Sequence, residues 1–347
     1  MKRFPKSGLV GILTLLVSLN VGAFADTDFR GTWTAEVKAK NSGEIHLNLY
    51  RSVRSQTGQT MAIKDLRGLD AASVSGANVP VKFQLVRDAG TIQFEGTFNR
   101  EMGHGEFSFS ANREYLAAMK QAGYNDVEQK AFECTMIDVT RAYVKELQDL
   151  GFKVSLEKTI EARIFNVNRE QVNSLKAVGI NNLSIDKLVE YRIFNVTPEY
   201  VREMRASFPN LSDDKMVEMQ IHKATPEFAR EMAKLGYKDL SADELVSFRI
   251  HGVTPEFIRE VGELGFKNLS AEKLVDFRIF GVNADQIKEL AKEGYTDLSA
   301  QQLVDFRIHH VDAAFIEKVK KHGYQHPTPD ELVEYKIMGI RVKEAEL

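Results

Sequence analysis

A single cysteine, Cys134, leaves the chain no intrachain disulfide, so whatever holds it together is packing. Catalytic signatures are also missing: there is no nucleophile elbow G-x-S-x-G, no phosphate loop G-x-x-x-x-G-K-[ST], no dinucleotide fingerprint, no paired C-x-x-C and no H-E-x-x-H. The expectation is a protein without chemistry of its own and without a cofactor. Charge of one sign does not dominate, with 46 Lys and Arg against 49 Asp and Glu. A net −3 speaks against a general nucleic-acid binder, which needs a basic face. No stretch of the mature chain holds the roughly 20 consecutive apolar residues that a membrane-spanning helix requires.

What is present begins with an export signal. Lys2, Arg3 and Lys6 precede an apolar run from Leu9 to Val17, and Ala23-Phe24-Ala25 offers a small-x-small cleavage site before Asp26. Cleavage after Ala25 is therefore expected, releasing a periplasmic or secreted protein that starts at Asp26. The loss of three bases and no acid takes the formal charge from −3 to about −6. No cysteine stands near the site to carry a lipid.

Residues 26–111 alternate apolar and polar side chains with a period of two, as in Trp33, Ala35 and Val37, or Ile45, Leu47 and Leu49. Similar runs carry Val81, Phe83 and Leu85, then Ile92 and Phe94, then Phe107 and Phe109. Asp88-Ala89-Gly90 and Met102-Gly103-His104-Gly105 read as hairpin turns. A small antiparallel sheet of five or six strands with one buried face follows, least defined between Ser55 and Pro80. Its Gly31-x-Trp33 start is similar to that of lipocalins, although some 85 residues is short for a closed eight-stranded barrel.

From residue 112 to 340 the chain repeats itself. Eight copies of 28 or 29 residues start at Asn112, Thr140, Asn168, Thr197, Thr225, Thr254, Asn283 and Asp312, and a polar tail, 341–347, follows. Each copy encodes two short helices. Thr254 is a side-chain N-cap, Pro255 sits where its missing N–H costs nothing, and Gly265 supplies a left-handed stop. Second helices open on Ser155, Ser184, Ser212, Ser241, Ser270, Ser299 and Thr328, with Glu244 completing a capping box on Ser241. Helices this short are marginal alone and must bury their apolar sides on neighbours. The fold class expected is α+β: a small antiparallel β domain followed by an α-solenoid of two-helix repeats.

Alignment of the copies sorts the candidate functional residues. Cys134 falls in the slot of Phe248, Phe277 and Phe306, which predicts a buried apolar role rather than a reactive thiol. His222, His251 and His309 share a slot with Phe165, Phe194, Phe280 and Met338, so they read as packing residues; His309, His310, His322 and His326 form the one local cluster that could hold a metal. The most regular charged column is Arg163, Arg192, Arg249, Arg278, Arg307 and Lys336. No acid stands three or four residues before any of them, so pairing within the helix does not explain it. Either these cations bond carbonyls and acids of an adjacent repeat, or they form a ladder for an anionic partner.

The phrases HGVTPEFIRE, LGYKDLSADELV and FRIHGV resemble a repeat of bacterial envelope proteins, attached there behind membrane zinc metallopeptidases of the β-lactam-sensing, antirepressor type. The preceding VRDAGTIQFEGTF resembles the β segment that accompanies that repeat. The peptidase part is missing, so the resemblance implies a sensory or interaction module. The functional expectation is a binding or scaffold protein for a protein or peptide partner in the envelope. Its alternatives are a small apolar ligand in the β domain, with the repeats as a docking arm, or an enzyme with an unrecognised interdomain site.

Overall fold

The structure, a computed structural model, describes residues 28–37, 43–52 and 55–339. The export signal, the expected start at Asp26 and the 341–347 tail lie outside them. Six strands form: β1 (Asp28–Val37), β2 (Glu44–Ser52), β3 (Ser55–Ala62), β4 (Val79–Arg87), β5 (Gly90–Asn99) and β6 (Met102–Ala111). They pair antiparallel in the order β3-β2-β1-β6-β5-β4, so β1 against β6 joins two three-stranded meanders and the sheet stays open at β3 and β4. The poorly defined stretch holds the edge strand β3, whose Gln and Thr side chains hide its period, and a short helix α1 (Ala71–Ser75) capped by Asp70.

The sheet's buried face carries Trp33, Ile45, Leu47, Phe83, Phe94, Phe98, Phe107 and Phe109. Trp33 faces Gly105 across the ladder, and Gly105 in turn faces Gly96, so the indole lies over two residues without side chains. A Cβ on Gly105 would stand 2.1 Å from the Glu95 carbonyl oxygen and 2.8 Å from the indole nitrogen. That nitrogen donates to the Glu95 carbonyl at 3.2 Å. The expected turn at Met102–Gly105 is corrected accordingly: these residues are strand, and the turn is Arg100-Glu101, both with positive φ (51° and 74°). Glycine there makes space for an aromatic ring, and the left-handed turn is made by non-glycine residues.

Sixteen helices follow in a repeating arrangement. The first helices are α2 (Arg113–Gln121), α4 (Arg141–Asp149), α6 (Arg169–Ala177), α8 (Pro198–Ser207), α10 (Pro226–Lys234), α12 (Pro255–Glu263), α14 (Ala284–Lys292) and α16 (Ala313–Lys321). The second helices are α3 (Val127–Ile137), α5 (Leu156–Ile164), α7 (Ile185–Ile193), α9 (Asp213–Ile221), α11 (Ala242–His251), α13 (Ala271–Phe280), α15 (Ala300–Ile308) and α17 (Pro329–Met338). Thr254 accepts from the Phe257 amide and Ser270 from the Lys273 amide, and the Ser241–Glu244 capping box is complete. Gly265 ends its helix with φ 99° and Gly252 with φ 68°. None of the described helices is long and apolar enough to cross a membrane.

Two compact units divide the chain: the sheet and its following residues through Ser174, with Asn181–Val189, and Leu175–Ile180 with the residues from Glu190 onward. In the first, Phe132 of α3 packs against Phe29, Phe107 and Phe109, and the Arg87 guanidinium donates to the Thr135 and Met136 carbonyls. The first repeat is thereby built onto the sheet, and Asp88 in the β4–β5 turn pairs with Arg141 at the start of the second. In the second unit, α9, α11, α13, α15 and α17 pack in succession, each second helix against the next.

Candidate binding surface

The charged column occupies the last turns of the second helices, where carbonyls of the preceding repeat come within reach. Arg163 donates from Nε to the Asp138 carbonyl at 3.1 Å and pairs with the Asp138 carboxylate at 2.9 Å. Arg249 donates from Nε to the Lys223 carbonyl at 2.9 Å, and Arg278 to the His251 carbonyl at 3.3 Å. Asp138 and Lys223 are the left-handed residues that end their helices, and His251 immediately precedes another, Gly252. Their carbonyls have no helical partner, which is why a donor is supplied from the next repeat. Gln220 stands in the same slot and does the same work, donating to the Asn195 carbonyl at 3.3 Å.

The same cations lie over a ring at the third position of their own repeat's first helix. Arg163 stands over Tyr143, Arg249 over Phe228 at 3.9 Å, Arg278 over Phe257 at 4.8 Å and Lys336 over Phe315 at 4.3 Å. Where that position is Gln286, Arg307 donates to its side-chain oxygen at 2.9 Å instead. Arg192 takes the corresponding exposed place on α7. Arg163, Arg249 and Arg278 thus tie their second helices both to their own first helices and to the repeat before, while Arg307 and Lys336 tie theirs to their own first helices.

A second ladder, which sequence spacing had not suggested, runs along the other ends of the second helices. Lys158 bonds Glu161 of its own helix and Asp186 of the next repeat; Lys215 bonds Glu218 and Asp243 in the same way, and Lys273 bonds Asp276 and Gln301. Its signal in the sequence was a lysine followed by an acid at i+3 and a polar residue at i+28. The Asp186 and Glu161 carboxylates hold the Lys158 ammonium above the ordinary lysine range.

Next to the charged column, one apolar side chain points outward in six of the eight repeats; the equivalent Met136 is buried and Ile221 half-buried. Ile164, Ile193, Ile250, Ile279, Ile308 and Ile337 are all exposed, as are Phe280 and Met338 beside them. The slot of the three histidines is that neighbouring position, half-buried at His222, His251 and His309, so it is a rim position rather than core. Cys134 is fully buried like Phe248 and Phe277, and burial pushes its thiol up to about 12. No group of three or more His, Cys, Asp or Glu among the described residues is placed to hold a metal ion.

The sheet's apolar face is filled by its own side chains, with Phe83 stacked on Phe94 at 4.5 Å and Trp33 against Phe83, Phe94 and Phe98. Near the first repeats an open groove of about 710 Å³ is lined by caps and loops of mixed character, with Asp126, Gln148, Lys153 and Ser155 beside Ala122, Tyr124, Val154 and Leu156. In comparisons with known proteins, no family model, no curated protein and no solved structure matches the chain.

Proposed function

We propose that this chain is an exported, non-catalytic binding module of the bacterial envelope and that its helical repeats hold a protein or peptide partner. The observation carrying this reading is the division of labour within each repeat. Caps, left-handed stops and two inter-repeat ladders recur with the same geometry, while an outward apolar position recurs without serving the fold. A framework copied eight times multiplies contact surface, whereas a catalytic site needs unlike residues converging once. The resemblance to envelope repeats and the basic-apolar-small pattern of residues 1–25 support the location.

Photo-crosslinking amino acids placed one at a time at Ile279 on the repeats and at Thr34 on the polar face of the sheet test the reading in intact cells. Specific protein adducts from the repeat position are expected. Adducts from the sheet position alone would move the function to the β domain. Export predicts a mature N-terminus at Asp26, which intact mass of the envelope protein measures; a mass that retains residues 1–25 overturns it.

A further inference from the structure

We infer that the last turns of α11, α13, α15 and α17 form one recognition row, and that its occupant is an extended polypeptide segment in which carboxylates alternate with aliphatic side chains. The inference rests on the reading of the repeats as a partner-binding surface, and it names the face and the chemistry. Ile250, Ile279, Ile308 and Ile337 are 53%, 52%, 44% and 61% exposed. Apart from Val86 and Met102, every large hydrophobic residue exposed among the described ones sits at this position of a repeat or the next. An apolar side chain kept in water at one place in successive repeats marks an interaction surface, since scattered exposure is the ordinary case.

Beside these isoleucines stand Arg249, Arg278, Arg307 and Lys336, and none of them pairs with a carboxylate among the described residues. Elsewhere in the same unit cations do pair: Arg230 with Glu227, Arg259 with Glu256, Lys273 with Asp276 and Lys320 with Glu293. The three arginines spend Nε on Lys223, His251 and Gln286, which leaves their terminal nitrogens to a ligand. A guanidinium fork matches a carboxylate.

Spacing and charge select the form of the occupant. Adjacent packed helices lie about 8–10 Å apart, and a chain extended in the polyproline-II form rises about 3.1 Å per residue with three residues per turn, so one repeat matches one turn and the same side-chain face returns to the row every third residue. Four repeats then take a segment of roughly twelve residues bearing one acid and one aliphatic side chain per step. An anionic membrane fits less well. Acids outnumber bases over residues 190–339, and Asp276, Asp305 and Glu334 stand two residues before three of the cations, so the positive charge is a single file and not a face.

The natural Gln220, which keeps the carbonyl bond without charge, supplies the test variant: Arg249→Gln together with Arg278→Gln removes the charge and keeps the staple. A second variant, Ile250→Thr with Ile279→Thr and Ile308→Thr, keeps branched side chains and lowers apolarity. Random displayed peptides of about sixteen residues are selected on the intact protein, and the enriched ones are measured by fluorescence anisotropy. Sequences rich in acids and aliphatics at a three-residue period are expected, weakened about tenfold or more in each variant and by salt, with helical circular dichroism and thermal midpoint retained. Enriched peptides that bind both folded variants as well as the parent overturn the row while leaving the repeats as a binding surface. Peptides without the acid-aliphatic pattern overturn the occupant. If no peptide enriches, the inference falls; phosphatidylglycerol vesicles that sediment the parent and not the variants then assign the row to a membrane.

Discussion

Trp33 can be buried only because Gly96 and Gly105 pair beneath it. Gly105→Ala would drive a Cβ into the Glu95 carbonyl at 2.1 Å, a backbone contact that cannot swing away. The expected loss is about 3 kcal/mol, the upper end for overpacking, read in a denaturant titration by the fluorescence of the chain's only tryptophan. A second residue-scale prediction concerns Glu133 on α3. Burial pushes its carboxyl above the ordinary range, Glu157 adds to the push, and Lys130 and Arg51 oppose it. Its folded pKa exceeds the unfolded one, so the ionised form weakens the native state: the loss is absent below about pH 4 and grows as pH rises through the folded value. Glu133→Gln should raise the thermal midpoint at pH 7, and the difference should close as the pH falls. An equal midpoint at both ends of the titration would show that the carboxyl is better solvated than its packing implies.

At the scale of the element, the caps carry the helix boundaries. Thr254→Ala leaves the Phe257 amide without its acceptor at 3.2 Å, and Ser270→Ala does the same to the Lys273 amide. Each should cost about 1 kcal/mol in a urea titration. These two helices belong to one repeat, so the double variant tests whether their losses add, as they should unless the two caps couple. The short helices were legible because every signal for them lies within a turn of the boundary. The sheet was less so: β3 is polar, and the glycines of β6 looked like a turn until the aromatic ring above them was in view.

For the whole molecule, the place where strand gives way to helix is not the place where one compact unit gives way to the other. α3 follows the sheet in sequence and belongs to it in packing, through Phe132 and through Arg87, and the Asp88–Arg141 pair at 2.7 Å ties the start of α4 to the turn between β4 and β5. A fragment of residues 112–347, which the repeat pattern alone would expect to fold throughout, should therefore keep its later helices and lose its first. Hydrogen exchange measures this: amides of α3 should exchange at nearly unfolded rates in the fragment, while those of α9 through α15 stay protected. Protection of α3 in the absence of the sheet would show that the repeats alone hold it.

The chain's own text determined the eight repeats, their sixteen helices, the caps that open them and the buried fate of Cys134, because those depend on interactions between residues at most a few positions apart and on slots compared between copies. Only the tertiary structure decided where the arginine column points. Each of Arg163, Arg249 and Arg278 finds its carbonyl 25 to 27 residues back, in the preceding repeat, and spacing within one helix says nothing of that distance. The same holds for the exposed isoleucines: in sequence they continue the apolar run of each second helix, and they become surface only when the neighbouring helices have taken the other side.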